Sequence, residues 1–133
     1  MVGVAGLHAG VRWINEKGIA KLHKQEITLY NKLRNALHEI EGVITYCVNN
    51  TDNQNPVLCF NVNGFEAGDV GTMLDVDYNI ATRTGLHCAP KVHEVLETVE
   101  IHGTVRMSIG PFNTEKHIDA AIEAVKDIAS IRN

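Results

Sequence analysis

The strongest constraint on this chain lies in its second quarter. Ile19, Leu22, Leu29, Leu33, Leu37 and Ile40 recur at helical spacing, with Lys21, Lys24, Lys32 and Glu39 off the stripe. Gly42 ends that pattern. Val43-Ile44-Thr45-Tyr46-Cys47-Val48 follows at once and, being rich in β-branched residues, predicts a strand. A one-sided helix leading directly into a strand has to lay its stripe on a sheet.

The flanking sequence supplies the other elements. Val4, Leu7, Val11 and Ile14 predict an earlier helix ending at Lys17, with Gly18 as its C′ residue. Gly3, Gly6 and Gly10 line a neighbouring stripe, which implies close packing against another element. Asn49 to Pro56 is a polar loop, Val57 to Val62 a second strand, and Asn63-Gly64 a turn. Asp69 is placed to cap a short helix burying Val70, Met73 and Leu74. Tyr78 to Thr82 and Thr104 to Ile109 read as the third and fourth strands, separated by an Arg83–Pro90 loop and a helical stretch to about Leu96. The last helix starts near Thr114 and buries Ile118, Ala121, Ile122, Val125 and Ile128. His117 occupies the position where a capping box wants Glu or Gln, so no box is expected there. The order α-α-β-β-α-β-α-β-α defines an α+β domain: a small mixed or antiparallel sheet of about four strands packed with helices.

Composition narrows the function classes. At 133 residues, 44% apolar and 21% charged, the chain suits one globular domain. Its net charge of −4 argues against a nucleic-acid partner. No apolar run reaches the roughly 18 residues of a membrane helix. Three cysteines form no paired framework, which favours a reducing, cytoplasmic setting. Met1 to Leu7 has no charged region or cleavage site of a signal peptide, and no polar cap opens its helix. That uncapped start is what a chain cut from a longer protein would show.

Cysteine chemistry runs through the thiolate. Cys47 and Cys59 lie between apolar neighbours in strand patterns and are expected to be buried and inert. Cys88 sits in a glycine-containing turn, with Pro90 marking the start of a helix. A helix N-terminus, together with Arg83, His87 and Lys91, would favour its thiolate. Alternation in the last strand puts Arg106 on one face with Thr104 and Ser108, opposite Val105, Met107 and Ile109. Arginine suits bidentate recognition of a carboxylate or phosphate, although a solvated strand face or a structural salt bridge would look the same. His87, Cys88 and His93 lack paired metal-ligand spacing, and His8, His23, His38, His102 and His117 are scattered, so no metal site is expected. No phosphate-cradling glycine loop occurs.

Two blocks carry a family resemblance. Arg83-Thr84-Gly85-Leu86-His87-Cys88-Ala89-Pro90 resembles the cysteine-bearing segment of the second group of cysteine desulfurases and selenocysteine lyases, class V aminotransferases of PLP fold type I. Gly103-Thr104-Val105-Arg106-Met107-Ser108, continuing through Phe112-Asn113-Thr114-Glu115 to Ile118-Asp119, resembles that family's carboxyl-terminal signature. Gly3 to Trp13 is similar to the helix leading from the large domain into the small one. The resemblance implies that residues 1–133 form the small domain and that the large domain, with the pyridoxal-phosphate lysine, lies outside them. It implies that Cys88 takes sulfur from substrate cysteine and that Arg106 holds the substrate carboxylate, with Arg83 and His87 beside the substrate. It further implies a homodimeric parent and a sulfur-acceptor partner. No cofactor-binding residue is expected within these 133 residues, and the chain alone should be colourless and inactive. A selenocysteine lyase or another class V enzyme stays open as an alternative. So does a free-standing thiol or persulfide carrier or interaction module.

Overall fold

A computed structural model describes residues 1–47 and 54–131. Val48 of the predicted first strand and residues 49–53 of the polar loop lie outside the described residues. Two helices open the chain, α1 (Val2–Lys17) and α2 (Ile19–His38). They are joined by Gly18 alone, at φ 85°, a left-handed conformation that glycine adopts without steric cost. Strands β1 (Val43–Tyr46) and β2 (Val57–Val62) follow, then α3 (Ala67–Tyr78), β3 (Arg83–Gly85), α4 (Pro90–Val95), β4 (Thr104–Ser108) and α5 (Glu115–Ser130).

The four strands form one sheet in the order β1-β2-β4-β3, and every neighbouring pair is antiparallel. Of the two sheet types the sequence allowed, the antiparallel one is therefore realised. Helices α2, α3 and α5 pack on one face. Leu58, Phe60 and Val62 of β2 and Val105 and Met107 of β4 point into that layer, against Leu33 and Leu37, Val70 and Leu74, and Val125 and Ile128. Burying a side chain such as Phe60 contributes roughly 1.5–3 kcal/mol. By alternation the opposite face carries Tyr46, Cys59, Asn61, Arg83, Thr104 and Arg106.

Several expectations are corrected. Tyr78 to Thr82 is not a strand. Tyr78 is the last residue of α3, and Asn79 closes that helix in the left-handed region at φ 56°. The Asn79 N–H donates to Asp75 O and the Ile80 N–H to Leu74 O, so local backbone bonding ends the helix. The third strand lies a few residues later, inside what read as a loop. Glu66, not Asp69, is the N-cap of α3, and Asp69 sits in the first turn, where its charge suits the dipole. At α5, the Thr114 N–H donates to His117 Nδ1 at 3.4 Å, so imidazole supplies the acceptor that a capping box takes from Glu or Gln. The glycine stripe of α1 packs on nothing: a Cβ at Gly3, Gly6 or Gly10 would meet open space. No residue of α1 is buried, and Val4 and Leu7 are 71% and 69% exposed.

Candidate functional site

The site is built on the helix-free strand positions of β2, β3 and β4 and on the turn that follows β3. Antiparallel register sets Tyr46 opposite Cys59, Cys59 opposite Arg106, and Arg106 opposite Arg83, giving one row of side chains across the sheet. Arg106 is half-buried and its Nε finds no hydrogen-bond partner among the described residues. Neither Arg83 nor Arg106 is ion-paired to a carboxylate among the described residues. Like charges directly opposite across a ladder are destabilising, so this pair is not there for the sheet.

Beyond Gly85 the backbone leaves the sheet sharply. His87 and Cys88 both adopt positive φ, 51° and 60°. A tight turn, with the Ala89 N–H bonded to Leu86 O at 2.8 Å, then leads to Ala89 as N-cap and Pro90 as first residue of α4. Two consecutive left-handed non-glycine residues are costly locally and persist only where surrounding structure holds them. The holding groups are visible. His87 Nε2 lies 3.0 Å from the carbonyl oxygen of Thr104 and 3.2 Å from its hydroxyl. His87 also stands against His93, ring centroids 5.7 Å apart. His93 is itself buried, with Nδ1 2.8 Å from the Thr98 hydroxyl. The Asn61 side-chain amide Nδ2 donates a hydrogen bond to the Gly103 carbonyl at 3.0 Å, anchoring the start of β4.

A carbonyl oxygen only accepts, so Nε2 of His87 carries the proton and Nδ1 has the lone pair. Burial first, then the Arg106 guanidinium, pushes the imidazole below its ordinary 6.5; the Thr104 hydrogen bond opposes this, and His93 and Arg83 add to it. The shift favours the neutral imidazole over the cation. His87 Nδ1 is buried without a partner among the described residues.

All three cysteines are free thiols. Cys88 is exposed at the turn, as the sequence implied. Cys47 and Cys59 are half-buried rather than buried. Cys47 accepts a hydrogen bond from Arg34 Nε at 3.2 Å, and Cys59 shares the face of Arg106. Arg83, His87, Cys88 and Arg106 therefore belong to one end of the sheet, while Lys91 is exposed on α4. Reading the sequence alone missed Asn61 and Thr104. The signal for Asn61 was present: it is the one polar residue in the apolar run Val57–Val62.

Comparison with known proteins matches this architecture. The family model for aminotransferase class-V covers residues 1–121. The chain is 31% identical over 98% of its length to a probable cysteine desulfurase of Methanothermobacter thermautotrophicus, and spans 32% of that protein. Among solved structures it superposes on the apo cysteine desulfurase of Thermococcus onnurineus NA1 with a TM-score of 0.85 and 32% identity, covering 94% of this chain and 30% of that one. The Escherichia coli cysteine desulfurase CsdA, in an S-sulfonic acid form, superposes with a TM-score of 0.80 and 28% identity, covering 97% and 30%. The chain belongs to the class V aminotransferases. Its curated relatives are named cysteine desulfurases, and it spans about a third of their length. No described helix is long and apolar enough to cross a membrane.

Proposed function

We propose that residues 1–133 are the small domain of a pyridoxal-phosphate-dependent cysteine desulfurase, which turns L-cysteine into L-alanine and leaves a persulfide on Cys88. The observation that carries this reading is the Arg83–Arg106 pair, two guanidinium groups opposite each other, without an ion pair among the described residues, beside the turn that presents Cys88. A carboxylate seated there takes charge-assisted hydrogen bonds and relieves the repulsion.

Within this chain the donors suit a substrate carboxylate, and none of the residues on that sheet face is a lysine. Attachment of pyridoxal phosphate therefore falls to the part of the parent protein outside these residues. When bound, pyridoxal phosphate supplies the electron sink for carbanion chemistry at the amino acid. This chain's own task is to hold and to react. Arg106 takes the substrate carboxylate, with Arg83 alongside, and so fixes where the sulfur points. Cys88 as thiolate attacks that sulfur. The new S–S bond forms as the substrate C–S bond breaks; the carbon keeps the electron pair and takes a proton to become alanine. An exposed turn leaves the persulfide accessible to a sulfur-acceptor protein. The parent acts as a homodimer in the cytoplasm.

The test is product analysis on the pyridoxal-phosphate-loaded parent protein carrying this chain. L-cysteine is expected to yield alanine and a persulfide mapped to Cys88, and Cys88→Ala to abolish both while the cofactor absorbance stays. Arg106→Ala is expected to raise KM, removing roughly 1.5–3 kcal/mol of carboxylate binding. Undiminished alanine formation by Cys88→Ala overturns the reading.

A further inference from the structure

His87 carries a feature that carboxylate binding does not use. The single Nε2–H of His87 is shared between the Thr104 carbonyl at 3.0 Å and the Thr104 hydroxyl at 3.2 Å, and the carbonyl, which only accepts, sets the tautomer. Thr104 and Arg106 share one face of β4, so the ring gripped by Thr104 stands beside the Arg106 guanidinium. Three buried polar atoms on this face have no partner among the described residues: Nε of Arg106, a donor, and Nδ1 of His87 and Oδ1 of Asn61, acceptors. A carboxylate satisfies the donor and cannot satisfy either acceptor. A ligand that satisfies Arg106 and His87 together has an acceptor group and a donor group.

We infer that His87 is a substrate-contacting residue, a neutral imidazole locked by Thr104 whose Nδ1 accepts a hydrogen bond from the thiol of the same amino acid whose carboxylate Arg106 holds. This rests on the desulfurase reading above. There the amino nitrogen is engaged by the cofactor, which leaves S–H as the donor that cysteine has free. The consequence is positional. A substrate sulfur bonded to residue 87 is held beside the turn that presents residue 88. The groups facing the imidazole are Arg106 from β4, Arg83 from β3 and His93 from α4, and a protonated ring would meet positive charge from both arginines. Neutrality, and with it the free lone pair, is built into the surroundings.

The experiment is nitrogen-15 NMR on the pyridoxal-phosphate-loaded parent protein carrying this chain, labelled at histidine and arginine and with Cys88→Ala to stop turnover, titrated in parallel with L-cysteine under reducing conditions, L-alanine and propionate. All three probes carry the carboxylate, and one carries the thiol. The imidazole is expected as the Nε2–H tautomer at neutral pH. Arg106 Nε–H is expected to shift with every probe, and His87 Nδ1 with L-cysteine alone. An Nδ1–H tautomer, or equal Nδ1 responses to L-cysteine and L-alanine while Arg106 responds to both, overturns the inference and leaves the carboxylate reading standing. No response of Arg106 to any probe overturns both.

Two variants separate contact from scaffolding. His87→Asn tolerates the left-handed backbone and puts an amide oxygen near the Nδ1 position. His87→Gln keeps a donor for Thr104 and loses the acceptor. L-cysteine affinity is expected to stay near wild type in His87→Asn and to fall about fivefold to tenfold in His87→Gln. The reverse order, with both variants keeping the wild-type amide spectrum elsewhere, means that His87 acts only through its tie to Thr104, and the inference falls.

Discussion

Arg83 and Arg106 stand directly opposite each other in the antiparallel ladder of β3 and β4. Sheet stability gains nothing from such a pair, since facing like charges oppose the ladder by a few tenths to about 1 kcal/mol. Replacing Arg83 by Thr is therefore expected to stabilise the chain by roughly 0.2–1 kcal/mol in urea unfolding at low salt. The gain should shrink near 1 M salt, where screening acts within a few ångströms. The same variant should bind carboxylate ligands more weakly. A loss of stability at low salt would show that the two guanidinium groups are not in repulsion.

Thiol reactivity follows exposure. Cys88 is open to solvent at its turn, while Cys59 in β2 and Cys47 just past the end of β1 are half-buried and Cys47 is engaged by Arg34. Under a limiting amount of iodoacetamide, Cys88 is expected to be alkylated first in the folded chain, and peptide mass mapping reads the order. Earlier labelling of Cys47 or Cys59 would contradict the placement of all three.

The stability of the fold should depend on pH through His87. Its folded-state affinity for a proton lies below the ordinary 6.5, because burial and the nearby Arg106 disfavour the cation. The unfolded chain then binds more protons than the folded chain just below pH 6.5, so this residue's contribution is intact above that value and fades as pH falls through it. Urea midpoints measured between about pH 5 and 8 should drop on the acid side, and His87→Asn should flatten that limb. An unchanged acid limb in the variant would assign the pH dependence elsewhere.

Glycines divide sharply by position. Gly103 has φ +93°, and a Cβ there would run into the carbonyl of Gly85, at the point where β3 joins β4. Gly103→Ala is expected to cost about 1–3 kcal/mol for the backbone conformation alone, with the collision in addition. It should also speed amide exchange in residues 86–89, which hang from that crossing. Gly6→Ala in the exposed middle of α1, where the same Cβ meets open space, should instead stabilise by up to about 1 kcal/mol. Equal effects from the two substitutions would refute the contrast.

Sequence periodicity alone determined where the core would be. The Leu29–Leu33–Leu37 stripe, the alternation in β2 and β4, and the Ile118–Val125–Ile128 stripe are repeats of 3.6 or 2, and burial follows such repeats because each element has one dry side. It likewise placed Arg106 on the face away from Val105 and Met107, and Cys88 in a turn. Local pattern failed where competing local bonds decided the outcome. The β-prone run Tyr78–Thr82 was split when Asn79 closed α3 in the left-handed region, and His117 filled an acceptor role that its residue type did not announce. Only the tertiary structure decided what Arg106 faces. Strand order β1-β2-β4-β3 brings Arg83, Cys59 and Tyr46 into its row from three other strands, and the return of residues 86–104 lays His87 on Thr104. Register and chain return depend on contacts between residues distant in sequence, and one-dimensional spacing holds no record of them.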